Sequence, residues 1–457
     1  MLDKVEKMET IHIYHTNDFH SHLEHWPRIL QFLQLKKELH RKHDEDVFLF
    51  DIGDFLDRWH PFTEATKGKG NVTLLNECQF TAVTIGNNEG VNLPYEDLNN
   101  LYDNALFDVL VANLYHKTGI YPDWVKPYKI YHTKKGTRVG VIGLTAYFVQ
   151  LYELLGWKLT EPIAELKKWL GPLKKEADFI IVLSHLGIHD DEQIAVEFPE
   201  IDVILGAHTH HFFEKGKLVG NTLLGAAGKY GYYVGKISIN LNEQKAVTHQ
   251  EAVLYDVNDL TAPRNEQERI NTFSKKGKEL LNQRVTILSE PLVHNPFHET
   301  NFSLLLSRTL REWCGADCAM INAGLLLGTL TGEVTNYDLL EVCPHPINPC
   351  VVELTGKELM EVLLQTKDES LPHKQIKGLG FRGTNLGVFV FDGICFEKNK
   401  IFIDGRELEH ESCYTLALPD MFTFGHFFKE VLPHKQKKYF LPEFMRDLLK
   451  WKLQMHS

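Results

Sequence analysis

The length, composition and charge of the chain exclude several classes of protein. At 457 residues the chain exceeds the size at which one hydrophobic core usually stops growing, so we expect two domains. Hydrophobic residues make up 43% and charged residues 24%, a globular balance that excludes collagen-like, disordered and disulfide-scaffold proteins. The formal net charge is -12 and no Lys/Arg cluster is dense, so polymeric nucleic acid is not an expected partner.

The N-terminal segment and the cysteines indicate a compartment. The segment MLDKVEKMETIHIYHTND lacks the apolar core of a signal peptide, and no stretch approaches the roughly 18 apolar residues of a membrane span. The 7 cysteines, an odd number, fit reduced thiols better than a disulfide framework. We therefore expect a cytoplasmic protein without a membrane partner, and the sequence leaves its oligomeric state open.

The first half of the chain repeats one pattern, in which a short apolar run precedes a polar loop and an amphipathic segment. This pattern is typical of strand–loop–helix units. It predicts strands at residues 11–14, 47–50, 82–85, 179–183 and 201–205.

A charged, helix-forming segment after Pro263 predicts an exposed helix that ends near residue 283, and we place the domain boundary there. Beyond it the sequence predicts a helix over residues 299–313, a strand over 318–322 and a helix over 355–366. Composition and pattern together therefore give an α/β protein with a second domain.

Side chains that can bind a divalent metal follow each of the five predicted strands. Taken singly, such a residue is more often a cap or a satisfied polar group. Because loops at strand C-termini are where α/β folds assemble sites, five in succession favour one shared metal centre. Mixed carboxylate, imidazole and amide-oxygen ligands suit Mn, Zn or Fe better than Mg or Ca. The candidate ligands are Asp18, His20, Asp54, Asn87, His185, His208 and His210.

In this order the motifs DFH, GD, GN, H and GAHTH resemble those of the calcineurin-like metallophosphoesterases. Their spacing, taken with the C-terminal region, is similar to that of the 5'-nucleotidase branch. The resemblance implies a four-layer α/β/β/α sandwich over residues 1–255, a linker helix over 256–290 and a smaller α+β substrate-binding domain over 291–457.

The same resemblance implies a ligand set for two divalent metal ions. Asp18, His20 and His210 would bind one ion, Asn87, His185 and His208 would bind the other, and Asp54 would bridge them. Two ions about 3.5 to 4 Å apart can lower the pKa of a shared water and neutralise phosphoryl oxygens.

The third motif departs from the family pattern. Members usually have GNHE, with a catalytic His and a supporting Asp shortly after it, whereas this chain has Asn88 and Val91 at those positions. An amide can donate a hydrogen bond but cannot transfer a proton, and general acid catalysis contributes roughly 10²- to 10⁴-fold. We therefore expect Asn88 to act at the catalytic centre and to favour activated esters or anhydrides over nucleoside monoesters.

The C-terminal region departs from the pattern as well. Related nucleotidases have N-x-G-x-x-R, but here Asn322 is followed by Ala-Gly-Leu-Leu-Leu, so the expected phosphate-binding Arg is absent. Phe381, Phe424 and Phe428 lie where the family places its base-stacking aromatics, and Arg382 is the best remaining cation. Each has a plain structural alternative, as core or as solvated surface. We predict that Phe381, Arg382, Phe424, Phe428 and Asn322 contact the substrate.

Three functions fit the sequence. The first is a dinuclear-metal-dependent phosphoesterase that hydrolyses nucleotide-like small molecules, a 5'-nucleotidase-like hydrolase. The second is a catalytically attenuated nucleotide-binding or regulatory protein that keeps the metal site, because Asn88 and the missing Arg weaken the catalytic pattern. The third is a promiscuous hydrolase whose second domain stabilises more than it selects.

Overall fold

The computed structural model describes residues 9–398 and 400–455. The chain divides into one unit that ends at Gly277 and another that begins at Lys278. The strands of the first unit are β1 (Glu9–Thr16), β2 (Asp46–Asp51), β3 (Ala82–Val83), β4 (Asp108–Leu110), β5 (Leu114–His116), β6 (Val125–Lys126), β7 (Tyr128–His132), β8 (Arg138–Leu144), β9 (Trp157–Leu159), β10 (Phe179–Ser184), β11 (Val203–Gly206), β12 (Lys217–Val219), β13 (Thr222–Gly225), β14 (Tyr233–Leu241) and β15 (Val247–Asp256).

Most helices of this unit lie in the connections between strands, as the repeated sequence pattern predicts. They are α1 (Trp26–Lys42), α2 (Pro61–Thr66), α3 (Lys69–Cys78), α4 (Asn87–Asn92), α5 (Tyr95–Asn99), α6 (Val149–Leu155), α7 (Pro162–Glu176) and α8 (Ile188–Glu197). Helix α9 (Glu266–Leu281) is the helix predicted at the boundary, and the division after Gly277 falls inside it.

Two sheets pack face to face in the first unit. The seven-stranded sheet has the order β15-β14-β1-β2-β3-β4-β6, and the six-stranded sheet has the order β12-β13-β11-β10-β8-β7. Ile13 and Phe50 of the first sheet share one core with Val141 and Ile181 of the second. Continuous apolar runs form these strands because both faces are buried, as is typical of parallel pairing.

A helix covers the outer face of each sheet. Leu166 and Leu173 of α7 pack in one core with Ile142 and Val182 of the six-stranded sheet. On the other side, the ring of Tyr14 on β1 meets Phe32 of α1 edge-on, with ring centroids 6.1 Å apart. The helix–sheet–sheet–helix layering confirms the α/β/β/α architecture that the family resemblance implies.

Strand boundaries shift by one or two residues from those predicted. Strand β3 contains only Ala82 and Val83 of the predicted 82–85, because Thr84 and Ile85 already belong to the short loop before α4, which begins at Asn87. Strand β11 begins at Val203, two residues later than predicted. Both shifts leave the candidate ligands at strand C-terminal ends.

The second unit is built on a five-stranded sheet with the order β20-β17-β24-β19-β25. Its strands are β16 (Arg284–Ile287), β17 (Cys318–Asn322), β18 (Glu333–Thr335), β19 (Pro349–Thr355), β20 (Phe389–Asp392), β21 (Ile394–Glu397), β22 (Lys400–Ile403), β23 (Arg406–Glu407), β24 (Cys413–Pro419) and β25 (Lys437–Tyr439). Its helices are α10 (Asn301–Cys314), α11 (Asn336–Val342), α12 (Gly356–Gln365) and α13 (Met445–Met455). This mixture of sheet and helices is the predicted α+β class.

Local sequence fixes the ends of the two predicted helices. The side chain of Thr300 accepts a hydrogen bond from the Ser303 backbone N–H at the start of α10, and Gly315 ends that helix with φ 63°. Thr355 and Glu358 form a capping box at the start of α12. Among the residues that the structure describes, no helix combines the length and apolar character needed to span a membrane.

Candidate metal centre

Most candidate ligands occupy an unusual backbone conformation. Asp18, His20, Asp54, His208 and His210 have φ values of 49°, 50°, 52°, 72° and 57°. Residues with a side chain rarely adopt this left-handed region, which costs roughly 1–3 kcal/mol each and clusters at functional sites. These five residues follow β1, β2 and β11, so the sharp turn after each strand directs a polar side chain to a common place.

Asp18, His20 and His210 form one group of potential ligands. Nε2 of His20 lies 3.2 Å from Nε2 of His210 and 4.0 Å from Oδ1 of Asp18. Nε2 of His210 lies 3.7 Å from the same Asp18 oxygen. These are spacings that ligand atoms around one ion can have, and the two imidazole nitrogens face each other closely enough to share one.

Asp18, Asp54 and His185 form a second group, so Asp18 belongs to both. Nε2 of His185 lies 3.5 Å from Oδ2 of Asp54 and 3.9 Å from Oδ1 of Asp18. Oδ2 of Asp54 also lies 3.7 Å from Nε2 of His20. Asp54 is thus placed between the two groups, where a bridging carboxylate has to be.

The tautomer of His185 tests whether a metal fits this pocket. Its Nδ1 donates a hydrogen bond to the backbone carbonyl of Ile52 at 2.6 Å, which leaves Nε2 as the atom that faces Asp54 and Asp18. That Nε2 is buried and has no hydrogen-bond partner among the described residues. The two carboxylates favour positive charge beside Nε2, and a divalent ion that displaces the Nε2 proton would supply that charge.

Asn87 and His208 complete the predicted set. Oδ1 of Asn87 lies 2.9 Å from Nδ1 of His208, and the rings of His208 and His185 have centroids 5.3 Å apart. The backbone N–H of His208 also donates to the Asp18 carboxylate at 3.1 Å. All seven predicted ligands therefore lie in one region, next to the C-terminal ends of strands from both sheets.

The electrostatics of the metal-free pocket show how strongly it attracts positive charge. Burial lowers the pKa of His185, but the Asp54 and Asp18 carboxylates outweigh burial and raise it to about 10. Burial opposes the ionisation of Asp54, yet His185 and His20 lower its pKa. Burial lowers the pKa of His208 to about 4 and of His210 to about 3, so both rings are neutral, as metal ligands must be.

Two glycines make room for the ligands. Gly53 has φ 86°, which a residue with a Cβ adopts only with strain. A Cβ on Gly86 would lie 2.1 Å from Oδ1 of Asp54 and 2.6 Å from Nε2 of His185. Any side chain at Gly86 would therefore fill the pocket itself.

Sequence reasoning missed the residues that hold the ligands in place. Glu89 is buried, and its carboxylate accepts hydrogen bonds from the backbone N–H groups of Asp54, Leu56 and Gly86 at 2.9, 3.1 and 2.8 Å. Oδ2 of Asp57 lies 3.5 Å from Nδ1 of His20. The sequence did hold a signal for both residues. Glu89 lies two positions after Asn87, and Asp57 lies three positions after Asp54.

Asn88 lies beside the centre, but its side chain is already engaged. Its Nδ2 is 2.6 Å from Nδ1 of His20, and its Oδ1 accepts a hydrogen bond from Asn92 at 2.5 Å. Its backbone N–H donates to Oδ1 of Asp54 at 2.7 Å. An amide can present either its oxygen or its nitrogen to the ring, so Asn88 is placed to orient His20.

The predicted substrate residues in the second unit differ in exposure. Phe381 and Phe428 are each 4% exposed, and Phe381 stacks on the ring of His345 with centroids 4.9 Å apart. Asn322 is buried, and its amide donates to the Leu386 carbonyl at 2.7 Å. Phe424 is 44% exposed. The half-buried Arg382 donates its backbone N–H to Nδ1 of His345 at 2.8 Å.

Comparisons with known proteins identify the family of the chain. The calcineurin-like phosphoesterase family matches residues 11–212, and the 5'-nucleotidase C-terminal domain matches residues 284–426. A relative from Bacillus subtilis, "Uncharacterized metallophosphoesterase YunD", is 41% identical over 458 residues, covering 97% of this chain and 99% of the relative. A 5'-nucleotidase from Vibrio vulnificus is 23% identical over 476 residues, covering 89% of this chain and 83% of that one.

Solved structures share the fold over almost the whole chain. The structure of NAD nucleotidase from Haemophilus influenzae matches with a TM-score of 0.67 and 16% identity, covering 98% of this chain and 97% of that one. A 5'-nucleotidase precursor from Thermus thermophilus matches with a TM-score of 0.59 and 19% identity, covering 98% and 96%. The chain therefore belongs to the calcineurin-like metallophosphoesterases, hydrolases of phosphoric ester bonds, and carries a C-terminal domain of the 5'-nucleotidase type.

Proposed function

We propose that the chain hydrolyses phosphate ester or anhydride bonds of nucleotide-like small molecules with two divalent metal ions. Calcineurin-like phosphoesterases use a dinuclear metal site, and the residues assigned here follow the sequence prediction. Asp18, His20 and His210 would hold one ion, Asn87, His185 and His208 would hold the other, and Asp54 would be shared between them. The observation that carries the proposal is the position of Asp54, whose Oδ2 lies 3.7 Å from His20 and 3.5 Å from His185.

When bound, the two ions would supply the positive charge that neutralises phosphoryl oxygens and the acidity that activates a water molecule. The chain's own residues would hold the metal-binding side chains in position. His185 is held by the Ile52 carbonyl, and Asp54 is held through its backbone N–H by the Glu89 carboxylate. Because these supports are buried, the ligands would not have to reorganise as charge develops.

Asn88 would influence which bonds are cleaved. Its amide contacts His20 on one side and Asn92 on the other, and it has no proton to give to a leaving group. Activated esters and anhydrides, whose leaving groups need little protonation, would therefore react faster than nucleoside monoesters.

Nucleotide-like substrates are supported by the names of the relatives, which include 5'-nucleotidases and an NAD nucleotidase. In the second unit Phe424 is 44% exposed, so it is the member of the predicted aromatic set best placed to stack against a base. The buried Phe381 and Phe428 would shape such a site from within the core. Asn322 and Arg382 remain predicted substrate contacts.

The ligand set supports Mn, Zn or Fe, because imidazole nitrogen and carboxylate oxygen together suit these ions. The odd number of cysteines, with exposed thiols at Cys395 and Cys413, supports a reducing compartment such as the cytoplasm. Both assignments form part of the same proposal.

The proposal is tested with purified protein and Mn on a chromogenic phosphate ester, then on nucleoside monophosphates, dinucleotides and nucleotide sugars. We expect turnover of the chromogenic ester and of at least one nucleotide class, and loss of both in Asp54→Asn. As a control, Asp97→Asn changes an aspartate on α5 that pairs with Lys67 away from the centre. Metal binding without hydrolysis of any compound would contradict the proposal and favour the attenuated binding protein. Hydrolysis of the chromogenic ester alone would favour the promiscuous hydrolase.

A further inference from the structure

A second cluster of metal-binding side chains lies beside the middle of β1. It consists of His12 on β1, His40 in the last turn of α1, and Glu45 in the turn that leads into β2, and we call it the His12 cluster. His12 lies four positions before Thr16, the last residue of β1, which corresponds to about 13 Å along the strand, and Asp18 lies beyond that end. The cluster is therefore separate from the candidate metal centre.

Both imidazoles of the His12 cluster point at one oxygen atom. Oε2 of Glu45 lies 3.1 Å from Nε2 of His12 and 2.6 Å from Nδ1 of His40. The two rings stack with centroids 3.8 Å apart and an angle of 29° between their planes. The three potential ligand atoms, which come from β1, α1 and the turn before β2, thus all lie within 4.8 Å of one another.

The remaining ring nitrogens each meet a hydroxyl group. Nδ1 of His12 lies 3.2 Å from Oγ of Ser238, and Nε2 of His40 lies 2.9 Å from the hydroxyl of Tyr14. A hydroxyl both donates and accepts, so each can receive the N–H of a ring whose other nitrogen binds a metal. An outer partner of this kind, which fixes the ring and its tautomer, is the usual support of a metal-binding histidine.

Burial and charge favour neutral rings, and Glu45 is the most exposed member of the cluster. The side chains of His12 and His40 are each 8% exposed, whereas that of Glu45 is 33% exposed. Burial, helped by the charge of Lys236, lowers the pKa of His12 to about 4 and also lowers that of His40. Imidazoles that are neutral at neutral pH offer their lone pairs, and the exposed side of Glu45 admits an ion.

We propose that His12, His40 and Glu45 form a third metal site, which binds one divalent ion of the zinc type with water as its fourth ligand. Ligands about 2.0–2.1 Å from zinc in a tetrahedron lie about 3.3 Å from one another. The 3.1 Å separation of His12 and Glu45 already matches, and the 2.6 Å separation of His40 and Glu45 has to widen slightly. The bound ion links the end of α1 to β1 and so has a structural role.

The alternative is a metal-free hydrogen-bond network in which both rings donate to Glu45. The test is the number of zinc ions per chain, measured by elemental analysis after saturation and removal of free metal. The variants are His40→Gln and Glu45→Gln; both keep a hydrogen-bonding side chain, and Glu45→Gln changes the more exposed residue. His43→Gln is the matched control, because His43 is exposed one turn from His40 at the end of the same helix.

We expect each of the two cluster variants to bind one zinc ion fewer than the wild type, while His43→Gln binds the wild-type number. Chromogenic esterase activity with Mn should be unchanged in all three, which shows that they are folded. Cobalt provides an independent readout, since the visible absorption of a tetrahedral site should decrease in the two cluster variants. Equal zinc content in the wild type and both folded cluster variants would overturn the proposal.

Discussion

Glu89→Gln tests whether one buried carboxylate holds the metal-binding loops together. Oε2 of Glu89 accepts hydrogen bonds from the backbone N–H groups of Asp54 and Gly86, and Oε1 accepts one from Leu56. Glutamine has one acceptor oxygen. If that oxygen faces Asp54 and Gly86, the amide NH₂ faces the Leu56 N–H, and two donors oppose each other in a site that is 2% exposed.

The expected loss can be estimated from these bonds. Losing one hydrogen bond to a charged acceptor costs about 2 kcal/mol. At pH 8.5 the glutamine is also spared the cost of ionising a buried carboxyl whose pKa is raised from 4.5 to about 7, about 3 kcal/mol, so the two effects oppose each other in the free energy of unfolding and the metal affinity is the quantity that reports the anchor. Because Asp54 and the loop after Gly86 then lose their anchor, manganese should bind about 10- to 100-fold more weakly. The change leaves every candidate ligand in place.

Calorimetric titration with Mn at pH 8.5 measures this loss of affinity. This pH lies above the pKa of Glu89, which burial and the charge of Asp54 raise to about 7, so the wild-type carboxyl is ionised. Glu96→Gln, an exposed glutamate on α5, is the control and should bind manganese with wild-type affinity. Unchanged manganese affinity in a folded Glu89→Gln protein, with urea unfolding as the check of folding, would refute the anchoring role.

Three further predictions concern protons. Asn88→His should raise kcat for nucleoside monophosphates by roughly 10²-fold by supplying a general acid, with little effect on activated esters; an unchanged or lower rate in steady-state assays would contradict this account. Manganese binding at pH 7.5 should release about one proton per chain from His185, whose pKa is raised to about 10; calorimetry in buffers of different ionisation enthalpy measures it, and His185→Asn should abolish it. Burial raises the pKa of Asp420 from 3.8 to about 7, so the folded chain retains a proton that the unfolded chain loses, and stability should fall as the pH rises from 4 to 7. Asp420→Asn should remove this dependence and stabilise the protein at pH 8 by as much as about 4 kcal/mol, and identical urea midpoints of the two proteins at pH 8 would count against it.

The sequence predicted the backbone framework because that framework follows from periodicity. Strand β17 occupies the predicted residues 318–322, and α12 lies within the predicted 355–366. Strand β3 was predicted too long, since Thr84 and Ile85 are apolar-patterned but belong to a loop. An apolar run in the sequence indicates that residues are buried. Residues can stay buried after the strand's hydrogen bonding has ended, so the run predicted a strand that was too long.

The candidate site was predictable only in part. Metal-binding residue types after successive strands are visible in sequence, and the structure brings Asp18, Asp54 and His185 together. The contact of Asn88 with His20 depends on the left-handed turn at His20, which no local pattern encodes. The burial of Phe381 against His345 is likewise a tertiary fact, because an aromatic side chain suits a core and a ligand surface equally well.

The ligands come from two different sheets, and this has a consequence for biosynthesis. Asp18 and Asp54 follow strands of one sheet, whereas His185 and His210 follow strands of the other. Under the proposed ligand assignment, the emerging polypeptide holds only the early half of the ligand set while the ribosome is still adding residues between these positions. Binding of the ions would then be a late event in the maturation of the protein, completed only after His210 has been added.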